Sequence, residues 1–420
     1  MRKKIVIIGG GFGGLSAAQE FGHYDADITI IDRTNHHVFQ PLLYQVATAA
    51  LSPADIAEPI RSVLRKYKNI TVVMDEVVDI DRTKREVVTK NFDYPFDYLI
   101  VAIGSRHSYF GKDEWGKYAP GLKTLNDALN IRERILSSLE KAEKLNNSDE
   151  AKKYLTYVIV GGGPTGVEMA GAIAEIVNVS MMKDFRNINS SMTEIYLVEG
   201  ESRLLLAYPP DLSDRAAKDL ESLGVKIIFN EKVTGVDDKC VKIGDRFIET
   251  KNIIWAAGNT IPELIRTLKT DYDRAGRVFV KPDLSLKDDP DIFVIGDAAV
   301  LKGKNGNLLP AIAPTAMQEG RYVAKIIMEG KDADLREPFK YFDKGTMATI
   351  GRARAVSVIG NLKFKGYFAW LLWGFVHILY LISFRNKFRV MLEWIWDYIT
   401  FRRGIRLITG RPNESNEETS

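Results

Sequence analysis

Two glycine-rich loops are the residues whose types and spacing point most directly to chemistry. In the first, Gly9, Gly11 and Gly14 follow a β-branched run at residues 5–8, in the pattern G-x-G-x-x-G. Glycines at this spacing allow a tight turn and let backbone N–H groups approach a pyrophosphate at the start of a helix. The next apolar run ends at Asp32, eighteen residues after Gly14, where a carboxylate can bind an adenosine ribose. Strand, loop, helix, strand and acid in this order predict a dinucleotide site.

The same arrangement recurs in the middle of the chain. Gly161, Gly163 and Gly166 follow a second apolar strand pattern, and the next such pattern ends at Glu199. An acid at this place favours NADH, because it would repel the 2′-phosphate of NADPH. Arg203 lies four residues further on, so the exclusion of NADPH stays open. Two such units in one chain predict two bound dinucleotides.

The order of the two loops resembles the two-dinucleotide-binding flavoproteins, in which FAD takes the first site and a nicotinamide cofactor the second. Three later stretches carry the same resemblance, namely FDYLIVAIGS, NIIWAAGNT and PDIFVIGDAA. The fold class that this resemblance implies is α/β. It consists of two Rossmann-like dinucleotide-binding domains of the FAD/NAD(P) disulfide-reductase type, to which we add a C-terminal amphipathic helical membrane-attachment domain.

The resemblance assigns cofactor-binding residues position by position. Non-covalent FAD is expected against Gly9, Gly11, Phe12, Gly13, Gly14, Asp32, Arg33, Val77, Ala102, Gly104, Gly296 and Asp297. NADH is expected against Gly161, Gly163, Pro164, Thr165, Gly166, Glu168, Glu199, Ala257 and Gly258. No metal site is expected.

Cys240 is the only cysteine in the sequence. A flavoprotein that passes electrons to a disulfide needs a cysteine pair, so one chain cannot be a disulfide reductase. Sulfide oxidation is disfavoured for the same reason. The reduced flavin must therefore react with its acceptor directly. A single cysteine also agrees with a reducing cytoplasm.

The segment HHVFQPLLYQVATAALSP, residues 36–53, closely resembles the type II NADH dehydrogenases. These are single-subunit NADH:quinone oxidoreductases that pump no protons. The resemblance continues through GGGPTGVEMAG and the C-terminal region, so it covers nearly the whole chain. It implies that Gln45 and Val46 line the isoalloxazine ring of FAD. It also implies a quinone, menaquinone or ubiquinone, as the electron acceptor.

The same resemblance places Glu168 where nicotinamide and flavin meet. An ionisable group there positions the nicotinamide or relays the proton that quinone reduction consumes. Glu168 and Gln318 are the expected catalytic residues, and the expected quinone contacts are Gln45, Pro314, Met317 and Gln318. The stretch APTAMQ departs from the family pattern Ala-Gln-x-Ala-x-Gln. Pro314 replaces the first Gln, which removes a side-chain amide and a backbone donor.

The C-terminal region is basic and apolar. Between positions 360 and 411 it has nine Lys or Arg and two acids, whereas the whole chain carries only +3. The run GYFAWLLWGFVHILYLISF is just long enough to cross a bilayer. However, basic residues flank it on both sides, and an amphipathic helix pattern follows it. We predict attachment to the membrane surface through Trp370, Trp373, Trp394 and Trp396. The competing interpretation is a dimerisation or core helix pair, which leaves a homodimer open.

Four segments are predicted along the chain: a discontinuous FAD-binding domain (1–110 and 265–345), an NADH-binding domain (111–264), a membrane-docking segment (346–411) and an acidic tail (412–420) expected to be disordered. The predicted function is peripheral NADH:quinone oxidoreductase activity on the cytoplasmic face of the cell membrane, with no nucleic-acid partner. One alternative is an NADH-dependent reductase of a soluble redox partner. The other is a membrane-docked, NADH-sensing flavin-binding protein.

Overall fold

The computed structural model describes residues 2–177, 182–303, 306–400 and 405–408. The chain forms two compact units. The first contains the residues up to Val38, Ala57–Ser108 and Asn259–Lys344. The second contains Phe39–Ile56, Tyr109–Gly258 and the residues from Gly345 onward. The predicted acidic tail, 412–420, lies outside the described residues.

Strands and α-helices alternate around each glycine loop, whereas several strands follow one another elsewhere in the chain. The strands are β1 Lys3–Ile8, β2 Ala26–Asp32, β3 His36–Val38, β4 Ala57–Pro59, β5 Ile70–Met74, β6 Val77–Asp81, β7 Glu86–Thr89, β8 Asp93–Pro95, β9 Tyr98–Val101, β10 Arg106–His107, β11 Thr156–Val160, β12 Glu194–Val198, β13 Val225–Ile228, β14 Val233–Val236, β15 Cys240–Ile243, β16 Arg246–Glu249, β17 Asn252–Trp255, β18 Asn259–Thr260, β19 Val278–Phe279, β20 Ile292–Val294, β21 Ala299–Val300, β22 Thr346–Thr349, β23 Ala355–Ile359 and β24 Leu362–Lys365. The α-helices are α1 Phe12–Phe21, α2 Leu43–Ala47, α3 Pro53–Ile56, α4 Ile60–Leu64, α5 Leu125–Lys144, α6 Ser148–Leu155, α7 Pro164–Glu175, α8 Pro210–Ser222, α9 Ala313–Glu329, α10 Tyr367–Tyr380 and α11 Phe384–Thr400.

The first unit is built on a parallel five-stranded sheet in the order β20-β9-β1-β2-β5. The central strand β1 is buried on both faces. Ile5 and Ile7 pack in a core with residues of α1 and α9. Val6 and Ile8 point the other way, into a second core that contains Val294. Side chains alternate between the faces of a strand, so burial on both faces explains the unbroken β-branched run.

The second unit contains a parallel four-stranded sheet in the order β13-β12-β11-β17. Every residue of β11 is buried. Helix α7 follows β11 through the second glycine loop and packs against β12 and β13. In each unit the glycine loop leaves the carboxyl end of a buried strand. The predicted ribose-binding acid is the last residue of the next strand in the first unit (Asp32) and directly follows that strand in the second (Glu199).

The C-terminal part of the second unit is a small antiparallel sheet, β22-β23-β24, followed by α10 and α11. The apolar run that the sequence suggested as a borderline span is broken, because α10 has only 14 residues and its C-cap is Leu381. A 14-residue helix is about 21 Å long, shorter than the roughly 30 Å hydrocarbon core of a bilayer. Among the residues described above, no helix is long and apolar enough to cross a membrane.

Candidate active site

The two glycine loops share one backbone geometry. In the first unit Gly9 has φ +101°, and a Cβ on Gly14 would lie 1.9 Å from the carbonyl oxygen of Gly9. In the second unit Gly161 has φ +107°, and a Cβ on Gly166 would lie 1.8 Å from the carbonyl oxygen of Gly161. Both loops therefore need glycine to turn and to bring the helix against its own strand, as the repeated motif predicted.

The presence of glycine at the middle position of each motif has a different explanation. Gly11 and Gly163 have ordinary φ values of −70° and −73°. Among the residues that the structure describes, a Cβ on either glycine would meet nothing within 4 Å. Neither the backbone conformation nor the packing of these described residues requires glycine at the two positions. The backbone there borders open space at the start of a helix, which fits the approach of a dinucleotide pyrophosphate.

Asp32 closes the first loop from the end of β2. Its Oδ2 accepts a hydrogen bond of 2.6 Å from the backbone N–H of Gly10. Its Oδ1 accepts hydrogen bonds of 2.7 Å from the backbone N–H and the hydroxyl of Thr34. The carboxylate is therefore held beside the loop, with lone pairs remaining for ribose hydroxyls.

Asp297 and Glu319 are two acids near the first glycine loop, because α9 packs against α1 and a Cβ on Gly320 would lie 2.2 Å from the carbonyl oxygen of Gly13. Asp297 Oδ2 accepts a hydrogen bond of 2.6 Å from the hydroxyl of Ser105. Glu319, on α9, accepts one of 2.6 Å from the backbone N–H of Gly296. Loss of solvent, together with the charge of Asp297, raises the pKa of Glu319 to about 8. Glu319 was not among the residues predicted from the sequence. It lies three residues after buried Ala316 on a helix, and this spacing indicates the buried face.

The other residues predicted for FAD border the same loop or its sheet. The carbonyl oxygen of Ala102 packs against Gly9, and Gly104 has φ +65° with open space beside it. The ring of Phe12 meets that of His37 edge-on, with 4.9 Å between centroids. His37, which the sequence reading also missed, is buried with its Nδ1 3.0 Å from the carbonyl oxygen of Gly10. Gly13 is buried, Val77 is half-buried and Arg33 is exposed.

Glu199 closes the second loop in the way that Asp32 closes the first. Its Oε2 accepts a hydrogen bond of 2.6 Å from the backbone N–H of Gly162, and its Oε1 accepts one of 2.9 Å from that of Glu201. The guanidinium of Arg203 donates to the carbonyl oxygens of Tyr208 and Leu206 and to the Ser213 hydroxyl, at 2.7–2.8 Å. Arg203 is therefore engaged in holding its own loop.

The remaining residues predicted for NADH surround the same loop. Pro164 is the first residue of α7, a position where its missing N–H has no helical partner to lose. The backbone N of Ala257 would lie 2.8 Å from a Cβ on Gly161, so β17 ends against the loop. Gly258 has φ +72°, and Thr165 is half-buried in the first turn of α7.

Glu168 lies in the first half of α7, next to the C-terminal sheet. Its carboxylate accepts a hydrogen bond from the backbone N–H of Thr349 on β22. Desolvation raises the pKa of Glu168 to about 8. Tyr208 is buried nearby. The pKa of its hydroxyl is raised mainly by burial and to a smaller extent by the charge of Glu168. Glu168 is therefore a carboxyl group that keeps its proton at neutral pH.

Gln45, in α2, has a hydrogen-bond partner that was predicted from the sequence to contact the membrane. Its Oε1 accepts a hydrogen bond of 2.7 Å from the indole Nε1–H of Trp394, in α11. Its Nε2 donates one of 2.9 Å to the hydroxyl oxygen of Tyr44. Both partners line a cavity of about 260 Å³ in the second unit. Its wall also contains Thr48, Glu175, Arg352, Trp370, Trp373 and Tyr398. Val46 is fully buried beside Gln45.

Gln318, in α9 of the first unit, has both of its amide N–H groups in use. Its Nε2 donates to the carbonyl oxygens of Pro314 and Phe342, at 3.1 and 3.0 Å. Its Oε1 accepts a hydrogen bond of 2.9 Å from the backbone N–H of Phe342. Pro314 and Met317 are half-buried on the same helix. In this structure Gln318 fixes the chain at residue 342, and its predicted catalytic role stays a prediction.

Trp373 is wrong as a predicted membrane contact, because it is only 2% exposed. Its ring packs on those of His377 and Trp394, with centroids 4.4 and 5.1 Å apart. Trp370 and Trp394 are half-buried, and Trp396 is exposed. The exposed apolar side chains of α10 and α11 follow helical spacing on the opposite face, and they are Phe368, Leu371, Phe375, Leu379, Phe384, Phe388, Leu392, Ile395 and Ile399.

Comparison with known proteins agrees with this geometry. Residues 3–320 match the family described as pyridine nucleotide-disulphide oxidoreductase, and residues 344–403 match the NDH2 C-terminal domain. The chain is 43% identical to the type II NADH:quinone oxidoreductase Ndh of Mycobacterium tuberculosis, over 97% of this chain and 90% of that one. For NdhA of the same organism the identity is 42%, over 98% and 90%.

A solved structure supports the fold. NDH2 from Plasmodium falciparum, determined in complex with NADH, superposes with a TM-score of 0.88 at 23% identity, covering 95% of this chain and 99% of that one. The predicted fold class, two Rossmann-like domains with a C-terminal helical part, is thereby confirmed. The chain belongs to the type II NADH:quinone oxidoreductase family.

Proposed function

We propose that this chain oxidises NADH, with FAD as its bound cofactor, and reduces a quinone by two electrons without pumping protons. The observation that carries the proposal is the pair of matched glycine loops in a chain with a single cysteine. The 43% identity to a type II NADH:quinone oxidoreductase, along 97% of the chain, supports it. When bound, the flavin accepts a hydride at N5 from NADH and gives up two electrons to the acceptor.

The first unit is proposed to hold FAD, and the second to hold NADH. In the first unit, the N-terminus of α1 at Gly11 faces the pyrophosphate and Asp32 accepts hydrogen bonds from the ribose. Asp297 is held by Ser105 near the predicted ribityl–phosphate position. We keep the predicted FAD-binding domain, 1–110 and 265–345, and NADH-binding domain, 111–264, as proposals of the same kind. The membrane-docking segment, 346–411, is kept as a proposal in the same way.

We propose that the second site prefers NADH over NADPH. Glu199 places a negative charge at the ribose, where it would repel a 2′-phosphate. Arg203 was the cation that left the preference open in the sequence, and its guanidinium is used by Tyr208 and Leu206 of its own loop and by Ser213 of α8. Releasing it to bind a phosphate would leave those acceptors without their donor.

Glu168 is proposed to supply a proton. Conversion of NADH and quinone to NAD⁺ and hydroquinone takes up one proton beyond the transferred hydride. A carboxyl group with a pKa of about 8 is protonated at neutral pH and can donate that proton. The hydrogen bond from Thr349 holds the group in place.

The quinone is proposed to bind in the cavity of about 260 Å³ beside Gln45. Menaquinone and ubiquinone both present a flat ring with two carbonyl oxygens, and the aromatic side chains in the cavity wall suit such a ring. Gln318, with Pro314 and Met317, remains a proposed contact. To bind the quinone, the Gln318 amide must first break its hydrogen bonds to the carbonyl oxygens of Pro314 and Phe342.

The exposed apolar faces of α10 and α11 are proposed to bind the membrane surface. Phe368, Phe375 and Phe384 are 76%, 63% and 84% exposed. Contiguous exposed apolar side chains of this size mark a docking surface, and neighbouring cations such as Lys387 and Arg389 suit anionic lipid headgroups. The quinone is dissolved in the bilayer, so attachment brings the enzyme to its substrate. We propose the cytoplasmic face of the cell membrane as the site of attachment.

A second copy of this chain is the competing occupant of the same surface. Sedimentation of the purified protein, with and without vesicles of anionic lipid, separates the two proposals. Vesicle binding by a monomer supports attachment. A dimer that does not bind vesicles supports association of two chains.

A single assay tests the enzymatic proposal. Purified, flavin-loaded protein is mixed with NADH and a short-chain quinone, and the absorbance of the nicotinamide is followed. Oxidation of NADH that depends on the quinone is expected. NADH oxidation that requires a soluble redox protein would support the alternative reductase, and no oxidation with any acceptor would support the sensing protein.

A further inference from the structure

Trp394 and Gln45 are 349 positions apart in the sequence, yet their side chains share a hydrogen bond of 2.7 Å. Gln45 belongs to α2, and Trp394 belongs to α11, the last helix described. The indole N–H donates to Gln45 Oε1, and Gln45 Nε2 donates to the Tyr44 hydroxyl at 2.9 Å.

The indole determines which way round the Gln45 amide lies. The oxygen and nitrogen of a glutamine amide are nearly equal in size, and only their hydrogen bonds distinguish the two orientations. An indole N–H can donate but cannot accept. Trp394 therefore requires an acceptor opposite it, which turns Gln45 Oε1 toward α11. Gln45 Nε2 points away from Trp394, and one of its two hydrogens is used by Tyr44.

The cavity beside this pair offers another buried donor. Trp373 lines the same cavity, and among the described residues its indole N–H has no hydrogen-bond partner. With the orientation that Trp394 imposes, Gln45 adds an amide N–H to this wall. A ligand that matches such groups must present acceptors. The two carbonyl oxygens of a quinone are acceptors.

We propose that Trp394 is a positioning residue for quinone reduction, because it orients the Gln45 amide so that its N–H faces a quinone carbonyl oxygen. The inference rests on the proposed function. It adds that the C-terminal helix α11 takes part in acceptor recognition through a side chain that contacts Gln45.

The experiment replaces the donor and keeps the ring. In Trp394→Phe the phenyl group can still pack on Trp373, but Gln45 Oε1 loses its donor and the amide is free to turn over. We expect the KM for a short-chain quinone to rise about tenfold, with a smaller change in kcat. The KM for NADH and the rate with ferricyanide, an acceptor that bypasses the quinone cavity, are expected to stay unchanged. Trp115→Phe, the same substitution at a tryptophan that packs on Trp255 rather than in the cavity wall, is the matched control.

A double-mutant cycle separates positioning from a general structural effect. Gln45→Leu removes the amide, and in that background Trp394→Phe should raise the quinone KM no further. Gln45→Met serves in its place if the leucine variant fails to retain flavin. Assays are done in detergent, so that membrane attachment does not enter.

Three results would overturn the proposal. The first is an unchanged quinone KM in Trp394→Phe. The second is an equal rise when Trp394→Phe is made in the wild-type protein and in the Gln45→Leu variant. The third is an equal loss of the ferricyanide and quinone rates, which indicates general damage to the fold. A wild-type protein that reduces ferricyanide but no quinone would instead refute the proposed function, and the positioning role with it.

Discussion

Glu199 accepts a hydrogen bond of 2.6 Å from the backbone N–H of Gly162, the same distance at which Asp32 accepts one from Gly10 in the other unit. In both loops the acid is tied to the glycine turn that precedes the helix. The carboxylate therefore has a fixed position relative to the loop. We propose that the choice between NADH and NADPH follows from this position of Glu199.

Substitution Glu199→Ser should weaken the discrimination against NADPH. Removing the charge relieves repulsion of the 2′-phosphate, so we expect kcat/KM for NADPH to rise about tenfold, while that for NADH falls. NADPH should not overtake NADH, because Arg203 stays bound to its own loop. Steady-state kinetics with both cofactors measure the ratio. Glu201→Gln, at an exposed neighbour, is the control, and an unchanged ratio in Glu199→Ser would contradict the assignment.

The pH dependence of quinone reduction should contain a limb that belongs to Glu168. Its pKa is raised to about 8, so activity that needs its proton should fall as pH rises through about 8. Glu168→Gln cannot donate a proton, and we expect a lower kcat without that limb. The measurement is kcat for quinone between about pH 6 and pH 9. Retention of the same limb in Glu168→Gln would assign it to another group.

The same shift predicts an effect on stability. A carboxyl group whose pKa is raised above its usual 4.5 in the folded state makes the folded protein less stable as pH rises from about 4.5 to about 8. In this pH range only the unfolded chain releases the proton. Glu168→Gln removes that loss. We expect its melting temperature to exceed that of the wild type at about pH 8.5, with the two converging near about pH 5. Thermal unfolding at both pH values tests this, and parallel curves would contradict it.

Two glycines of one motif should fail in different ways. Gly14→Ala places a Cβ 1.9 Å from the carbonyl oxygen of Gly9 and should prevent stable folding. In Gly11→Ala the new Cβ meets no non-neighbouring atom of the described residues within 4 Å, so its stability without flavin should change by less than about 1 kcal/mol. Flavin retention should nevertheless fall, since the new methyl group occupies the space proposed for the pyrophosphate. The flavin-to-protein ratio and the melting temperature are measured together. Full flavin retention in Gly11→Ala would refute the placement.

The proposed membrane surface predicts a graded loss of binding. Each of Phe375→Ala and Phe384→Ala removes about 1.5–3 kcal/mol of apolar burial. Each should therefore weaken binding to anionic vesicles by about tenfold or more, and reduction of a short-chain quinone in detergent should be unaffected. Phe247→Ala, on β16, is the control, because Phe247 is 64% exposed and Phe375 is 63% exposed. Co-sedimentation with vesicles gives the affinities. Equal losses in Phe247→Ala and Phe384→Ala would indicate nonspecific binding.

The parts of the site that could be predicted are the local ones. The loop geometry at Gly9 and Gly161 depends on residues within a few positions, so the motif carries it. The same holds for Asp32, the last residue of β2, and for Glu199, which directly follows β12. Predicting Glu319 required one further inference, namely that the helical spacing places this acid on the buried face of α9.

Other parts depend on contacts that no short window contains. The bond between Trp394 and Gln45 joins positions 349 apart. The face of α10 was also beyond reach of the sequence, because the helix is apolar all round and both of its faces look alike. For that reason Trp373 was assigned to the membrane, while Phe375 was not. The hydrogen bonds between the Gln318 amide and the backbone of Phe342 could not be predicted either, because the two residues are 24 positions apart.

The arrangement of the second unit has a consequence for biosynthesis. Its glycine loop and α7 are made early, but a Cβ on Gly171 of α7 would lie 2.9 Å from the backbone N of Gly351, and Glu168 is held by Thr349. Trp373 adds a buried side chain later still. Because Gly171 and Gly351 are 180 positions apart, a ribosome must synthesise the whole stretch between them before α7 can complete its packing and this unit can close.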